Sequence, residues 1–181
     1  SSEIDSISVN DAWGEFTTFP IRFVNVLEEI CPEAVGKSDA TYGLPEDLAR
    51  EIETQQFFPQ GLLCDLRRYQ EWGVKYILHQ ERVLLGDEMG LGKTVQAIAS
   101  MVSLRNTGAT HFMVVCPASV ISNWCREIER LSRLKAIRIH GSSRQSAVEE
   151  WIDKGNVGVT TYETIASITL PQDFKFSMLT V

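Results

Sequence analysis

A chain of 181 residues, 44% of them apolar, can bury a sizeable core, which excludes a disordered or fibrous protein. No apolar run approaches the ~18 residues that cross a bilayer, and the opening Ser-Ser-Glu-Ile-Asp lacks the charged-then-apolar order of a signal peptide, so no membrane partner and a cytoplasmic or nuclear location are expected. The net charge of −7 is unevenly spread: residues 1–60 carry twelve acids and three bases (net −9), residues 61–181 twelve acids and fourteen bases (net +2), so the second part is mildly basic and compatible with a polyanion.

In chain order, residues 1–15 are polar. Over residues 20–30, Ile21, Val24, Leu27 and Ile30 recur at helical spacing until Cys31-Pro32 ends the pattern. Pro45 opens a second short helix carrying Leu48 and Ile52, and Phe57-Phe58-Pro59-Gln60-Gly61 reads as a linker that also packs. Residues 1–60 are therefore expected to be an acidic, mainly helical accessory segment. Residues 61–181 alternate between two periods. A helix over 66–78, with Leu66, Tyr69, Gly73, Tyr76 and Ile77 on one side, leads to a strand over 83–85. Helices over 94–104, 120–131 and 145–153 then alternate with strands over 112–116, 136–139 and 157–160, and a last strand covers 176–181. Repeated short apolar strands and helices predict an α/β fold, a three-layer parallel sheet covered on both faces. The four cysteines show no Cys-x-x-Cys spacing and read as reduced core thiols rather than a metal site.

The most informative stretch is Gly86-Asp87-Glu88-Met89-Gly90-Leu91-Gly92-Lys93-Thr94, which follows the apolar Val83-Leu84-Leu85. A strand that enters a glycine-rich turn, followed by a helix whose N-terminus carries a partial positive charge, makes a cradle for phosphate. Glycines at 90 and 92 let the backbone approach the anion, Lys93 would reach the β- and γ-phosphates, and the Thr94 hydroxyl would bind Mg²⁺. The usual pattern G-x-x-x-x-G-K-[ST] wants a glycine where Asp87 stands, with Gly86 one residue too early. An ordinary strand-to-helix turn is the competing reading.

Other motifs fall at ordered positions. Leu66-Arg67-Arg68-Tyr69-Gln70 precedes the turn, and a glutamine there could pair with one adenine edge through its donor and its acceptor, or could be a surface helix residue. Cys116-Pro117-Ala118-Ser119 with Asn123-Trp124 places Ser119 as an N-cap or a ligand contact and Trp124 as core or a stacking platform. His140-Gly141-x-x-Arg144 and Thr160-Thr161-Tyr162-Glu163 follow the next two strands, at the carboxyl ends where open α/β sheets bind ligands.

In this order the motifs resemble those of the Swi/Snf-type family of helicase-like ATPases, a branch of the superfamily-two helicases. The resemblance covers about residues 62–181. It rests on the Gln70 motif, on Asp87-Glu88-Met89-Gly90-Leu91-Gly92-Lys93-Thr94 with its aspartate included, on the Ser119 motif and on Thr160-Thr161-Tyr162-Glu163. Arg68 stands where the family more often has proline. The resemblance implies a recombinase-like P-loop lobe, the first of two, in a motor that tracks along double-stranded DNA. It implies ATP and Mg²⁺ as ligands: Gln70 senses adenine, residues Asp87, Glu88, Met89, Gly90, Leu91, Gly92 and Lys93 form the phosphate turn, and Thr94 holds the metal. Ser119, Thr160 and Thr161 become the candidates for DNA-backbone contact, with little sequence specificity.

In that family the strand matching 176–181 runs into an Asp-Glu-Ala-His box, which these residues do not contain, and a second motor lobe in cis supplies further groups. The 181 residues taken alone are therefore expected to hold nucleotide without turning it over. The alternative is a non-motor module in which the nucleotide site is a switch or the protein works through partner contacts. A further expectation is that the acidic residues 1–60 either inhibit a DNA path or form a solvated surface.

Overall fold

The computed structural model of the protein describes residues 45–86 and 90–181. The expected helix over 20–30 and the turn residues Asp87, Glu88 and Met89 lie outside the described residues. The chain divides between Thr54 and Gln55. Of the first unit, helix α1 (Glu46–Thr54) is described; it begins after Pro45, carries Glu46 and Asp47 in its first turn, and buries Ile52. An acidic first turn complements the helix dipole.

The second unit starts at Gln55, before the charge step at Gly61, because backbone and side-chain hydrogen bonds tie residues 58–63 to its helices. The Phe58 N–H donates to Ser103 Oγ at 3.0 Å, Asn106 Nδ2 donates to the Phe58 and Gln60 carbonyls at 2.9 Å each, and the Leu63 N–H donates to Leu131 O at 2.8 Å. Helices α2 (Arg68–Gln80) and α3 (Lys93–Asn106) follow, then strand β1 (His111–Val115), a 3₁₀ turn (Ala118–Val120) leading into α4 (Ile121–Leu131), strand β2 (Ala136–Arg138), α5 (Arg144–Lys154), strand β3 (Asn156–Thr160), the four-residue α6 (Tyr162–Ile165) and strand β4 (Met178–Thr180). The four strands form one parallel sheet in the order β2-β3-β1-β4.

Alternation along the strands divides the core into two halves. Phe112 and Val114 of β1 and Val157 and Val159 of β3 pack with Ile98, Met101 and Val102 of α3 and with Ile121, Ile128 and Leu131 of α4. Met113 and Val115 point the other way, toward Ile139 and the α5 residues Val148 and Trp151. Helices thus cover both faces of a parallel sheet, the three-layer α/β arrangement expected from the sequence. Residues 96–103 of α3 are all buried, and its polar side chains are satisfied there: Ser100 Oγ donates to Gln96 O at 2.9 Å, and Ser103 Oγ accepts the Phe58 N–H.

The strand expected over 83–85 does not form. Residues 83–86 have no regular structure, and Leu84 is 95% exposed. One edge of the sheet is β4, whose three residues pair with Phe112, Met113 and Val114 of β1. Adding a three-residue strand to so short an edge yields few hydrogen bonds against the entropy of fixing its backbone, so apolar composition by itself does not make the ladder. The last strand is also shorter than 176–181, and α6 is a helix that the polar Thr-Thr-Tyr-Glu string did not announce. Among the described residues no helix is long and apolar enough to cross a membrane.

Candidate nucleotide-binding site

Two helices assemble the site. Arg67, in extended backbone (φ −68, ψ 154), caps α2, and its N–H donates to Oε1 of Gln70 at 3.0 Å, so a glutamine at the third helical position closes the helix start. This cap explains why the helix begins at Arg68 rather than at Leu66. The pattern of α2 turns Tyr69 and Val74 inward, and Gly73 lets α3 come close, since a Cβ there would collide with Gln96 Oε1. The two helices therefore pack tightly enough for the first turn of α2 to reach the turn that precedes α3.

That contact is the core of the site. Tyr69, only 7% exposed, donates its hydroxyl to Leu91 O at 2.7 Å, and Gln70 Nε2 donates to the same oxygen at 3.2 Å and to the Tyr69 hydroxyl at 3.2 Å. Leu91 stands between Gly90 (φ +90) and Gly92 (φ +83), both in the left-handed region that glycine enters without steric cost. A side chain at 92 would bring its Cβ to 2.5 Å from Gln70 Nε2, whereas the space around Gly90 is open. Sequence reasoning selected Gln70, Gly90, Leu91, Gly92, Lys93 and Thr94, and the structure brings them together at one helix start. It missed Tyr69, although a tyrosine on a buried face needs a partner for its hydroxyl, and that signal was present in the helical period.

Gly92 is the N-cap of α3, with Lys93 and Thr94 as its half-buried first residues. The Gln96 N–H to Gly92 O bond of 3.0 Å closes the first turn. No acid stands in that turn, so the positive end of the helix dipole is not compensated from within, and Lys93 adds a full charge. Open space at Gly90, two glycines with positive φ and a helix whose own first turn carries no acid fit a triphosphate, and a hydroxyl at Thr94 fits its Mg²⁺. Among the described residues there is no cluster of three or more His, Cys, Asp or Glu that could hold a metal by itself. Cys64, Cys116 and Cys125 are free thiols pushed up from the ordinary value of 9.0, chiefly by burial.

The second group of candidates lies at the carboxyl ends of the strands. After β1, Ser119 sits inside the exposed 3₁₀ turn and makes no capping bond; the N-cap of α4 is Val120, so the capping role read from the sequence is wrong. Ser119 is open to solvent beside Val120, which is 37% exposed. After β3, the two threonines are buried. Thr160 Oγ1 donates to Ile139 O at 2.9 Å and so ties β3 to the end of β2. Thr161 caps α6, its hydroxyl accepting the Thr164 N–H at 3.2 Å and sharing a 3.0 Å hydrogen bond with the Thr164 hydroxyl. At 0% and 2% exposure, neither threonine side chain presents a contact surface. What they expose is the next pair: Tyr162, 49% accessible, and Glu163, whose carboxyl lies below the usual range because its own backbone N–H and the Thr161 hydroxyl bond to it, with attraction from His140.

A family profile described as the SNF2-related domain matches residues 69–177. Over 150 residues the chain is 34% identical to chromodomain-helicase-DNA-binding protein 1-like of Mus musculus, covering 76% of this chain and 17% of that protein. It is 35% identical over 136 residues to the chromatin-remodeling ATPase INO80 of Schizosaccharomyces pombe, covering 65% of this chain and 8% of that one. Among solved structures it resembles the SWI2/SNF2 ATPase core of Sulfolobus solfataricus in complex with double-stranded DNA, with TM-score 0.58, 27% identity and coverage of 68% of this chain and 27% of that one. The chain thus spans less than a fifth of the length of these two relatives. The tethered glycine turn at the start of α3, the parallel sheet behind it and the profile match across most of the second unit agree: this chain belongs to the SNF2-related domain family.

Proposed function

We propose that these residues are the nucleotide-holding part of the first motor lobe of an ATP-dependent translocase acting on double-stranded DNA. The observation that carries this reading is the bond from Gln70 to the Leu91 carbonyl, which joins the side chain that would read adenine to the turn that would hold the phosphates. Gln70 would pair with the adenine edge. Gly90, Leu91 and Gly92, with Asp87, Glu88 and Met89 upstream, would wrap the phosphates, Lys93 would neutralise them, and Thr94 would hold Mg²⁺. ATP supplies the free energy of movement. The protein's part is orientation and charge, and residues 1–181 contain no Asp-Glu-Ala-His box to position an attacking water. The isolated 181 residues should therefore bind ATP without measurable turnover, and the second lobe is expected in cis.

DNA would lie at the carboxyl edge of the sheet. Support comes from the solved relative, which holds double-stranded DNA, and from exposed Ser119 and Tyr162 at the ends of neighbouring strands β1 and β3. Thr160 and Thr161 would act there by shaping the loop. The accessory segment expected over residues 1–60 would be confined to residues 1–54, with residues 55–60 belonging to the lobe. The reading puts the protein where such DNA is, in a nucleus or, in cells without one, the cytoplasm.

The test is ATP hydrolysis by the full-length protein with and without double-stranded DNA. Stimulation by DNA that Lys93→Ala removes is the expected result. Hydrolysis indifferent to DNA would overturn the motor in favour of a nucleotide switch.

A further inference from the structure

A second concentration of positive charge stands away from the nucleotide site, at the far end of α3. From Lys93 to Arg105 the helix rises about 18 Å, and Arg105 reaches the amino end of the sheet, where its Nη1 donates to Oδ1 of Asn156, the first residue of β3, at 3.2 Å. Arg133, two residues beyond α4, donates its backbone N–H to Gly61 O at 2.8 Å. Residues 58–63 are thus tied to the ends of both helices without either guanidinium taking part.

Between that segment and the helix ends lies a cavity of about 210 Å³, lined by residues 60 and 61 and by Val102, Arg105, Asn106, Arg133 and Leu134. Val102 and Leu134 are buried, whereas Arg105, Asn106 and Arg133 are exposed. The lining contains no carboxylate. Among the described residues neither arginine is in an ion pair: Arg105 gives one N–H to a neutral amide oxygen, and the Arg133 guanidinium gives none. The amide protons of Asn106 already go to the Phe58 and Gln60 carbonyls, so the two arginines hold the donors that remain. Positive charge at a helix C-terminus offsets the dipole, and one arginine at each helix end meets that need. The dipoles do not require both to line one cavity that lacks an acid.

Two guanidinium forks at one cavity suit a single oxyanion, because each presents paired N–H donors at the spacing of its oxygens. The volume is below the roughly 300 Å³ at which pockets for whole small molecules begin, so one group at the end of a larger ligand fits. A side chain that carries methylenes as well as a carboxylate uses both the arginines and the apolar Val102 and Leu134. A duplex phosphate uses the arginines alone, and it is fixed on a rod too wide to enter. We propose that this cavity is a docking site for a glutamate side chain of an acidic partner peptide, at the end of the lobe opposite the nucleotide turn. The inference is independent of the nucleotide reading.

The test is calorimetric titration of the protein with an end-capped hexaglutamate peptide and, separately, with a short DNA duplex. Arg133→Gln should weaken the peptide about tenfold, as loss of a charge-assisted contact does, and Arg105→Gln by a similar factor. Lys135→Gln removes the same charge from an exposed neighbour outside the cavity and should weaken it less than about twofold. Lys93→Ala should leave peptide binding intact, so loss of nucleotide binding and loss of peptide binding are separate results. No binding by the unmodified protein overturns the inference, and so do equal losses in Arg133→Gln and Lys135→Gln, which mean diffuse surface charge. Peptide binding abolished by Lys93→Ala would place the peptide on the phosphate turn and overturn it too. A duplex that displaces the peptide and is itself weakened tenfold by Arg133→Gln would reassign the cavity to nucleic acid.

Discussion

The β1–β3 ladder and the run Val83-Leu84-Leu85 are made of similar residues and end differently. Residues 111–115 pair in register with 156–160, and all but the first position of each strand are buried. Residues 83–85 are as apolar, yet they form no strand, and Leu84 is almost wholly exposed. The difference is not propensity. β1 has a strand on each side and a helix layer over each face, so every residue fixed there gains two kinds of contact, whereas residues 83–85 pair with none of the four strands. The turn before α3 is therefore held by α3 behind it and by the Tyr69 and Gln70 bonds from α2, with no strand leading into it.

Substitutions can break this comparison. Phe112→Ala, in the centre of the ladder and fully buried, should lower unfolding free energy by about 3–5 kcal/mol through lost transfer energy and a cavity, read as a fall in denaturant midpoint; a loss below about 1 kcal/mol would mean the ladder is not the core. Gly155→Ala comes next. Gly155 has φ +70 and precedes Asn156, itself at φ +77, at the corner that aligns β3 with β1; an added Cβ would come 2.5 Å from Thr110 O. Strain and displacement there should cost about 1–3 kcal/mol, and the same measurement should find it between the other two variants. Leu84→Ser should change stability by less than about 0.5 kcal/mol, as exposed positions do. A large loss at Leu84 would show that the run is packed in solution and that the comparison is wrong.

Much of the architecture was legible because it depends on local periods. The helical spacing of Ile98, Met101 and Val102, the continuous apolar run at 112–116 and the short Val157-Gly158-Val159 stretch mark a buried helix and buried strands. Gln70, Gly92 and Lys93 stood out for another reason, their order along the chain, and the structure brings the Gln70 amide within a hydrogen bond of Leu91, one residue before Gly92. The sequence says less where side chains choose among partners that it does not display. Ser119 has a suitable hydroxyl for a cap, but a 3₁₀ turn precedes α4 and leaves it free of that task. Thr160 and Thr161 have suitable hydroxyls for a phosphate, but Ile139 O and Thr164 take them. Tyr69 was placed on one side of the helix and within the Gln70 motif, but a period identifies its ring and is silent about its hydroxyl.

On the proposed function, α2 and the turn before α3 form one nucleotide site that reads both base and phosphate. Calorimetric titration of the protein with Mg·ATP and Mg·GTP tests it directly, with Lys93→Ala alongside. Tighter binding of ATP than of GTP, with both lost in Lys93→Ala, is predicted; equal affinity for the two nucleotides, or binding that survives the loss of Lys93, would contradict it.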